Sequence, residues 1–447
     1  MKKFILIALS VFLLMSFATL VFAEEPQIKL GGSIAVKGWY FDNVAVSDYS
    51  PEKTGSAAYY KGSAVLTVDA KISDNLKGYM ELETGDKNYS GSYTWGTQDV
   101  KADASLWFRQ LWIQYTGSGL LGVPSGLKVG HQLLTLGEKQ FLNLERFGTD
   151  AILVFTEPTK ELFLAALTAK GSEGVKEDNT DDLDIYVLLG TYKLDKNNTI
   201  GVNYTYANLP EADLKFSNLG FHANGLLAGA LTYAAELDFQ FGSFCDDGGL
   251  CTLGTESVTD KTKYKGWGLM AKAGYKLDPV NLRASFGMGS GDSDYNDDKI
   301  GDFQTVMSPE VVSPTSRPVH YTQIYERTIR TAALERTLGA GSRSTGIANT
   351  TYYNLGLDLA ATKDLTLALD GFILRATKNG AWEDEMGHSV SKNVGTEVDF
   401  KGTYKITKNL SYYLEAGIFS PGSFYEDTGT VDEGTVTQVM HGVSLTF

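Results

Sequence analysis

The chain has 447 residues, including 48 Gly, 10 Pro, 24 Tyr, 22 Phe and 6 Trp, and 21% of its residues are charged. This composition excludes a disordered or collagen-like chain. The 54 acidic residues outnumber the 39 basic ones, and the net charge of −15 disfavours nucleic-acid binding through phosphate neutralisation. The length is compatible with two or three soluble domains or with one large β-barrel.

The first 23 residues have the features of a secretory signal peptide. Two lysines precede an apolar run from Phe4 to Phe22, and Val21 and Ala23 occupy the −3 and −1 positions of a cleavage site. We therefore predict cleavage after Ala23, which leaves residues 24–447 as the mature chain. An uncleaved anchor is the alternative, because the run is long enough to span a bilayer. An exported chain is periplasmic, secreted or an outer-membrane barrel.

Alternation with a period of two recurs along the rest of the chain. Leu237 and Phe239, for example, alternate with Glu236 and Asp238, which indicates an apolar outer face and a polar inner face. Many runs reach ~10 residues, the length that a tilted strand needs to cross a membrane, whereas strands of soluble sheets average about 5 to 6 residues. The predicted strands lie roughly at 28–41, 58–72, 76–85, 102–116, 126–135, 149–157, 161–171, 183–193, 199–208, 226–241, 264–277, 280–289, 351–361, 365–376, 394–406, 410–420 and 434–447.

Short connections between these runs set the strand count. Five have tight-turn sequences, at 73–75, 195–198, 278–279, 362–364 and 407–409. All five fall on the periplasmic side if 211–222 is one further strand, and the longer links then lie outside. The sequence therefore predicts an all-β, transmembrane, antiparallel up-and-down barrel of 18 strands that forms a single domain over residues 24–447. Sixteen strands is the alternative, because three runs, at 102–116, 126–135 and 161–171, are ambiguous in face.

Aromatic residues gather near the ends of the runs and predict the two interfacial girdles of a barrel. These residues are Trp39, Tyr40, Phe41, Tyr59, Tyr60, Phe239, Phe241, Tyr352 and Tyr353.

Cys245 and Cys251 flank a short polar segment with two glycines. An oxidising compartment favours a disulfide between them, with two free thiols as the alternative. The count of strands places both cysteines in an outer loop.

A long loop at about 290–350 is rich in arginine. It holds Arg317, Arg327, Arg330, Arg336 and Arg343, five of the nine arginines of the chain. A loop of this length can fold into the lumen, where guanidinium groups would form a constriction for an anionic solute. Alternatively, the arginines pair with acids on the lumen wall. The predicted pore-lining acids are Glu236, Asp238, Asp358, Asp370, Glu397 and Asp399.

Basic residues also project inward and make the predicted lumen mixed in charge. They include Lys29, Lys37, Lys61, Lys77, Lys272, Arg283, Lys401 and Lys405.

Catalytic and cofactor motifs are absent from the sequence. The five histidines are dispersed, and there is no nucleophile elbow, phosphate loop or dinucleotide fingerprint. The acidic segment at 292–298 lacks the Gly and Glu that complete a calcium loop, so we interpret it as a solvated loop, with an ion site as the alternative. We predict no enzyme, no metal and no cofactor; a hydrolase triad assembled in space is a minor alternative.

The chain ends at Phe447, preceded by alternating apolar residues, which resembles the signal that the barrel assembly machinery recognises in bacterial outer-membrane barrels. Four segments resemble those of porin-like barrels related to the alginate export family: Phe108–Trp112, Leu127–Gln132, Arg146–Asp150 and Thr345–Asn349. His131 stands where that family has Arg. The resemblance implies an outer-membrane barrel, and the family includes export channels for an acidic polysaccharide.

Together these observations predict an outer-membrane, porin-like channel for passive passage of hydrophilic solutes, anionic solutes included. A structural or sheath barrel with a plugged lumen or a protein partner is the alternative, and a polysaccharide export channel is a minor one. Expected partners are outer-membrane lipid and lipopolysaccharide, the solutes, the assembly machinery and other copies in a homotrimer, and no nucleic acid.

Overall fold

A computed structural model of the protein describes residues 26–43, 56–85, 93–95, 105–119, 122–175, 181–244, 252–253, 256–257, 262–294, 297–307, 321–326, 346–429 and 434–447. The predicted signal segment, both cysteines, Cys245 and Cys251, and the arginines Arg317, Arg327, Arg330, Arg336 and Arg343 lie outside the described residues. The signal peptide, the disulfide and the arginine constriction therefore stay predictions.

Within the described residues, 18 strands form one closed antiparallel barrel. Each strand pairs with the next along the chain, and β18 pairs with β1 from Thr446 opposite Ser33 to Thr437 opposite Asp42. The strands are β1 Gln27–Asp42, β2 Ala57–Lys71, β3 Leu76–Gly85, β4 Ser105–Gly117, β5 Ser125–Gln132, β6 Thr149–Thr156, β7 Leu162–Ser172, β8 Leu183–Lys193, β9 Thr199–Leu209, β10 Leu214–Leu227, β11 Leu231–Phe244, β12 Trp267–Leu277, β13 Val280–Gly289, β14 Thr350–Ala360, β15 Leu365–Ala376, β16 Asn393–Lys405, β17 Leu410–Pro421 and β18 Val436–Thr446. The predicted 18-stranded barrel is confirmed, and the alternative of 16 strands is wrong.

The additional strand predicted at 211–222 is β10, which starts at Leu214 after a turn of 3-10 helix at Pro210–Ala212. Two short helices, α1 Gly380–Met386 and α2 Ser423–Thr428, lie in the connections after β15 and β17. No helix in these parts of the chain is long and apolar enough to cross a membrane.

The short turns are closed by side-chain oxygens that accept backbone N–H groups. Asp195 accepts the backbone N–H groups of Asn197 at 2.7 Å and Asn198 at 3.0 Å. The backbone N–H of Asn197, and next the side chain of Asn198, hold the pKa of the Asp195 carboxyl below its usual range. Thr362 and Thr407 start two other turns and accept the N–H groups of the second and third residues that follow each. These are the turn residues whose chemistry the sequence displays.

The outer face of the barrel is apolar and exposed. The side chains of Leu355 and Ile113 are 74% and 63% exposed, and many other outward residues are comparable. A continuous belt of this kind is unfavourable in water and favourable against lipid acyl chains. The barrel therefore spans a membrane.

Several aromatic residues predicted in the girdles point into the barrel. Trp39 and Phe41 are 4% and 1% exposed and pack inside, whereas Tyr40 between them is 42% exposed. Likewise Tyr352 is buried and Tyr353 is exposed. Successive side chains of a strand alternate in face, so neighbouring aromatics cannot share one girdle. The girdle prediction is wrong for Trp39, Phe41 and Tyr352, and also for Tyr59, which pairs with Trp39 and packs against the buried cluster.

One part of the wall, β6 to β8, is apolar on both faces. Its inward residues include Leu167, Ile185 and Val187, which form one buried cluster with Phe141 and Leu142 of the connection between β5 and β6. We call this connection, residues 133–148, the inner loop. Because the inner loop covers this wall with apolar side chains, inward polar residues are not required there. The run at 161–171 is therefore apolar on both faces, and its alternation does not distinguish them.

Candidate functional site in the barrel lumen

The inner loop is held to β11 by the carboxylate of Glu236. The backbone N–H groups of Glu138 and Gln140 both donate to Glu236 Oε2, the second over 3.3 Å. Gly137 has φ of +52°, and a Cβ there would lie 2.8 Å from the Glu236 carboxyl. Only glycine fits this conformation and this approach without strain.

The other end of the inner loop is tied to β3 by two buried carboxylates, Glu81 and Glu83. Arg146 donates two hydrogen bonds to Glu83, at 2.6 and 2.9 Å. Arg109 on β4 donates to Glu81 at 2.6 Å and to the carbonyl oxygens of Glu145 and Arg146. Bidentate arginine–carboxylate pairs are strong and geometrically specific, so this end of the loop is fixed.

A β-bulge brings two consecutive residues of β4 to the same carboxylate. The pairing of β3 with β4 shifts register between Glu81 and Leu82. As a result, Arg109 Nη1 and Gln110 Nε2 donate to the two oxygens of Glu81, at 2.6 and 2.7 Å. A regular strand would send these neighbours to opposite faces, and a bulge allows both to face the lumen.

The connection between β13 and β14, residues 290–349, is called the long loop here. Its described segment 321–326 lies inside the barrel against β16. Glu397 accepts the N–H groups of Ile324 at 2.7 Å and Tyr325 at 2.8 Å, and Asp399 accepts that of Gln323 at 3.1 Å. Two adjacent inward carboxylates therefore bind three successive backbone amides.

The long loop also packs on β11 and on the inner loop. Gln304 of the long loop exchanges two hydrogen bonds with Gln240 of β11: its N–H donates at 2.8 Å and its carbonyl accepts at 2.6 Å. Residues 306 and 307 pair in parallel with 142 and 143, and the N–H of Val306 donates to the carbonyl of Phe141. The described parts of both loops thus form one layer inside the barrel.

The two anchoring strands share a short motif. It reads Glu236-Leu237-Asp238-Phe239 on β11 and Glu397-Val398-Asp399-Phe400 on β16. In each copy the acids face inward and are buried, while Leu or Val faces lipid. Asp238 accepts from Asn218 at 2.8 Å. This repeated motif is the sequence signal that distinguishes the loop-anchoring acids from the acids that line open space.

The wall from β13 to β15 carries a separate charged network. Arg283 donates to Asp370 at 2.9 and 2.8 Å and to Asp358 at 2.9 Å. Asn281 donates to Asp358, and Asn354 donates to Asp370. On the neighbouring strands, Lys401 pairs with Glu415 at 2.8 Å. These groups keep part of their surface exposed inside the lumen.

The predicted site acids therefore fall into two sets. Glu236, Asp238, Glu397 and Asp399 face inward but are buried, and three of them hold loop backbone. Asp358 and Asp370 belong to the more exposed Arg283 network. Sequence reasoning missed the anchors Glu81, Glu83, Arg109 and Arg146, although two of them lie in the segments Phe108–Trp112 and Arg146–Asp150.

The side chain of His131 does not face the lumen. It pairs in register with Leu111, which is outward and exposed, and its Nδ1 lies 2.9 Å from Asp150, whose side chain is exposed. The pair therefore lies on the outer surface, at the ends of β5 and β6.

The acidic segment of the long loop uses its carboxylates for loop closure. Asp292 accepts the N–H of Gly301 at 3.0 Å, and Asp298 pairs with Lys263 at 2.6 Å. The Lys263 side chain holds the pKa of the Asp298 carboxyl below its usual range. No group of three or more His, Cys, Asp or Glu side chains that could hold a metal occurs in the described ranges.

Comparisons with known proteins agree with the fold. No protein-family model and no curated protein matches the chain. OccK2 (OpdF) of Pseudomonas aeruginosa has a TM-score of 0.56 at 12% identity, covering 94% of this chain and 98% of that chain. A BenF-like porin of Pseudomonas fluorescens Pf-5 has a TM-score of 0.54 at 12% identity, with coverage of 94% and 98%.

The outer membrane protein OprD of Pseudomonas aeruginosa has a TM-score of 0.54 at 11% identity, covering 94% of each chain. At these identities the likeness concerns the fold. The resemblance to the alginate export family has no support among these matches. The chain is an outer-membrane β-barrel, as the sequence predicted, and its fold is similar to the folds of these proteins.

Proposed function

We propose that the protein is a channel through which small hydrophilic solutes cross the outer membrane passively, with no catalytic step. The observation that carries this proposal is the exposure of charged groups inside the barrel. Lys272 is exposed on β12, and the side chains of Lys401 and Asp358 are 56% and 41% exposed. The surface of such charges that no partner covers needs water, since burial of a charge without compensation costs several kcal/mol. A water-filled passage therefore runs along β12 to β17, opposite the wall that the inner loop covers.

The exposed wall carries both signs of charge. Lys272, Arg283 and Lys401 lie near Asp358, Asp370 and Glu415. This mixture supports passage of small polar solutes without a strong preference for one sign. The preference for anionic solutes depended on the five arginines of the long loop, and it stays a prediction.

A sheath barrel with a filled lumen is the second candidate, and the packing of the loops favours it. Phe141, Phe303 and Tyr325 are fully buried inside the barrel. If this layer seals the whole cross-section, no solute passes. The two candidates therefore differ in one measurable property, ion conductance.

Planar-bilayer recording of the purified protein tests the proposal. We expect discrete conductance steps and a decrease in step size for Ala368→Trp, because residue 368 faces inward between Asp358 and Lys401. Gly371→Trp on the same strand is the matched control, since its Cβ would point into open space on the outer face. Protein that inserts without any conductance would exclude the channel and leave the sheath.

Export of an acidic polysaccharide is the narrower interpretation suggested by the family resemblance. The side chains of Arg109 and Arg146 in those segments hold the inner loop through Glu81 and Glu83. Because these arginines hold a loop, the contacts support a structural role for the two segments. We therefore propose passage of small hydrophilic solutes and not export of a polysaccharide. Binding of lipopolysaccharide, recognition of Phe447 by the assembly machinery and trimerisation stay predictions.

A further inference from the structure

A polar pocket lies in the lumen wall where β11 to β15 meet the long loop. Its volume is about 350 Å³, within the range of small-molecule sites. Inward side chains of five strands line it, among them Thr232, Lys272, Arg283, Asn354 and Asp370. The pocket belongs to the exposed wall of the proposed passage, so a passing solute can reach it.

Hydrogen bonds fix the polar side chains of the pocket before any solute arrives. Ser285 donates to Asn354 at 3.1 Å, Asn354 donates to Asp370 at 3.1 Å, and Arg283 links Asp370 to Asp358. The network crosses β13, β14 and β15. A fixed set of donors and acceptors binds a matching ligand without the entropy cost of ordering side chains.

Charge is balanced in the pocket and immediately beside it, where Asp358, the second partner of Arg283, lies just outside the lining. Arg283 is shared by Asp358 and Asp370, which leaves the network with one net negative charge. Lys272 makes no ion pair with any described residue and supplies one positive charge. The balanced pocket therefore selects by hydrogen bonding more than by net charge.

Two aromatic rings complete the lining, Phe372 on β15 and Tyr321 from the long loop. Tyr321 is held in place by stacking on Tyr352, with ring centroids 4.6 Å apart, and by donating its hydroxyl hydrogen to the carbonyl of Gly346 at 2.9 Å. The pocket thus combines apolar ring surface with Asn, Ser, Asp and Arg side chains, which offer donors and acceptors together.

We propose that this pocket binds a small neutral polyhydroxylated solute, of monosaccharide or disaccharide size, during its passage. Hydroxyl groups both donate and accept, as the network does, and the C–H faces of a sugar ring pack against aromatic side chains. The inference rests on the proposed channel function and names a substrate class for it.

Saturation-transfer NMR with glucose and sucrose tests the pocket on the protein in a detergent without a sugar headgroup. Asn354→Leu removes the central hydrogen-bonding group, and Tyr321→Leu removes a ring from the loop and leaves every barrel strand intact. We expect each to weaken sugar binding roughly tenfold, the effect of losing one or two good contacts. Thr403→Val, inward on β16 and outside the pocket, is the control and should bind as the parent does.

Binding that is equal in all four proteins would overturn the assignment, as would binding of glutamate or lysine in preference to both sugars. Absence of sugar binding in the parent would also overturn it. Conductance is recorded separately on the same preparations. A protein that binds sugar but does not conduct contradicts the channel and leaves the pocket, whereas one that conducts without binding sugar contradicts the pocket alone.

Discussion

Arg146 and Glu83 form a bidentate pair, with hydrogen bonds of 2.6 and 2.9 Å, that ties the end of the inner loop to strand β3. The guanidinium also lies 5.3 Å from the Trp107 ring and 5.0 Å from the Phe147 ring. The pair therefore combines charge, fixed geometry and ring contact, and it fixes one side of the lumen.

Arg146→Ala should destabilise the barrel by about 3 kcal/mol, because it leaves the buried Glu83 carboxylate without its cation. Denaturant unfolding in micelles, followed by tryptophan fluorescence, measures the change. Arg375→Ala is the control, since that side chain is exposed. The double variant Glu83→Gln with Arg146→Gln should recover part of the loss, and a single variant as stable as the parent would show that the pair contributes nothing.

Glu397→Gln should loosen the long loop. In this variant an NH2 group replaces one carboxylate oxygen. That NH2 group is a donor and cannot accept the hydrogen bond that the N–H of Ile324 or Tyr325 donates in the parent. We expect noisier single-channel currents with a larger mean step. Glu415→Gln also removes an inward carboxylate, but Glu415 pairs with Lys401 on the neighbouring strand and accepts no hydrogen bond from the described part of the long loop, so the currents of this variant should stay quiet. Equal noise in both variants would mean that Glu397 does not anchor the loop.

Val398→Arg should impair assembly, because Val398 is exposed on the outer face and a cation at mid-membrane costs ~2 to 4 kcal/mol. The fraction of protein that runs as the folded band on an unheated gel measures assembly. Thr403→Arg places the same side chain inward on the same strand and should assemble normally. Similar losses in both would contradict the assignment of faces.

Arg283→Gln should shift the reversal potential in a salt gradient toward cation selectivity, because Asp358 and Asp370 lose their shared cation. The shift should decrease as salt is raised, since the Debye length falls from ~10 Å at 0.1 M to ~3 Å at 1 M. Arg375→Gln, on the outer face, should leave the potential unchanged. A shift of the same size at both salt concentrations would point to a change of pore shape and not of charge.

The sequence by itself determined the barrel and its strand number. Alternation of inward Glu236 and Asp238 with outward Leu237 and Phe239 is a local pattern, set by the contrast between lipid outside and polar groups inside. Turn residues such as Asp195 and Thr407 close their turns through neighbours two and three positions away. Both signals are complete within about ten residues of chain, so no tertiary information is needed to interpret them.

The tertiary structure alone decided what the inward residues contact. Glu236 and Glu397 bind backbone amides of loops that are 96 to 98 and 72 to 73 residues away in sequence, and backbone amides carry no residue-specific signal. Trp39 turns inward and Tyr40 outward because the strand register places them so. The bulge at Arg109 inserts one extra residue into β4, so the inward and outward positions exchange after it, and a simple period of two does not predict this exchange. Where a loop covers the wall from inside, both faces of a strand become apolar, and only the packed barrel shows which face meets lipid.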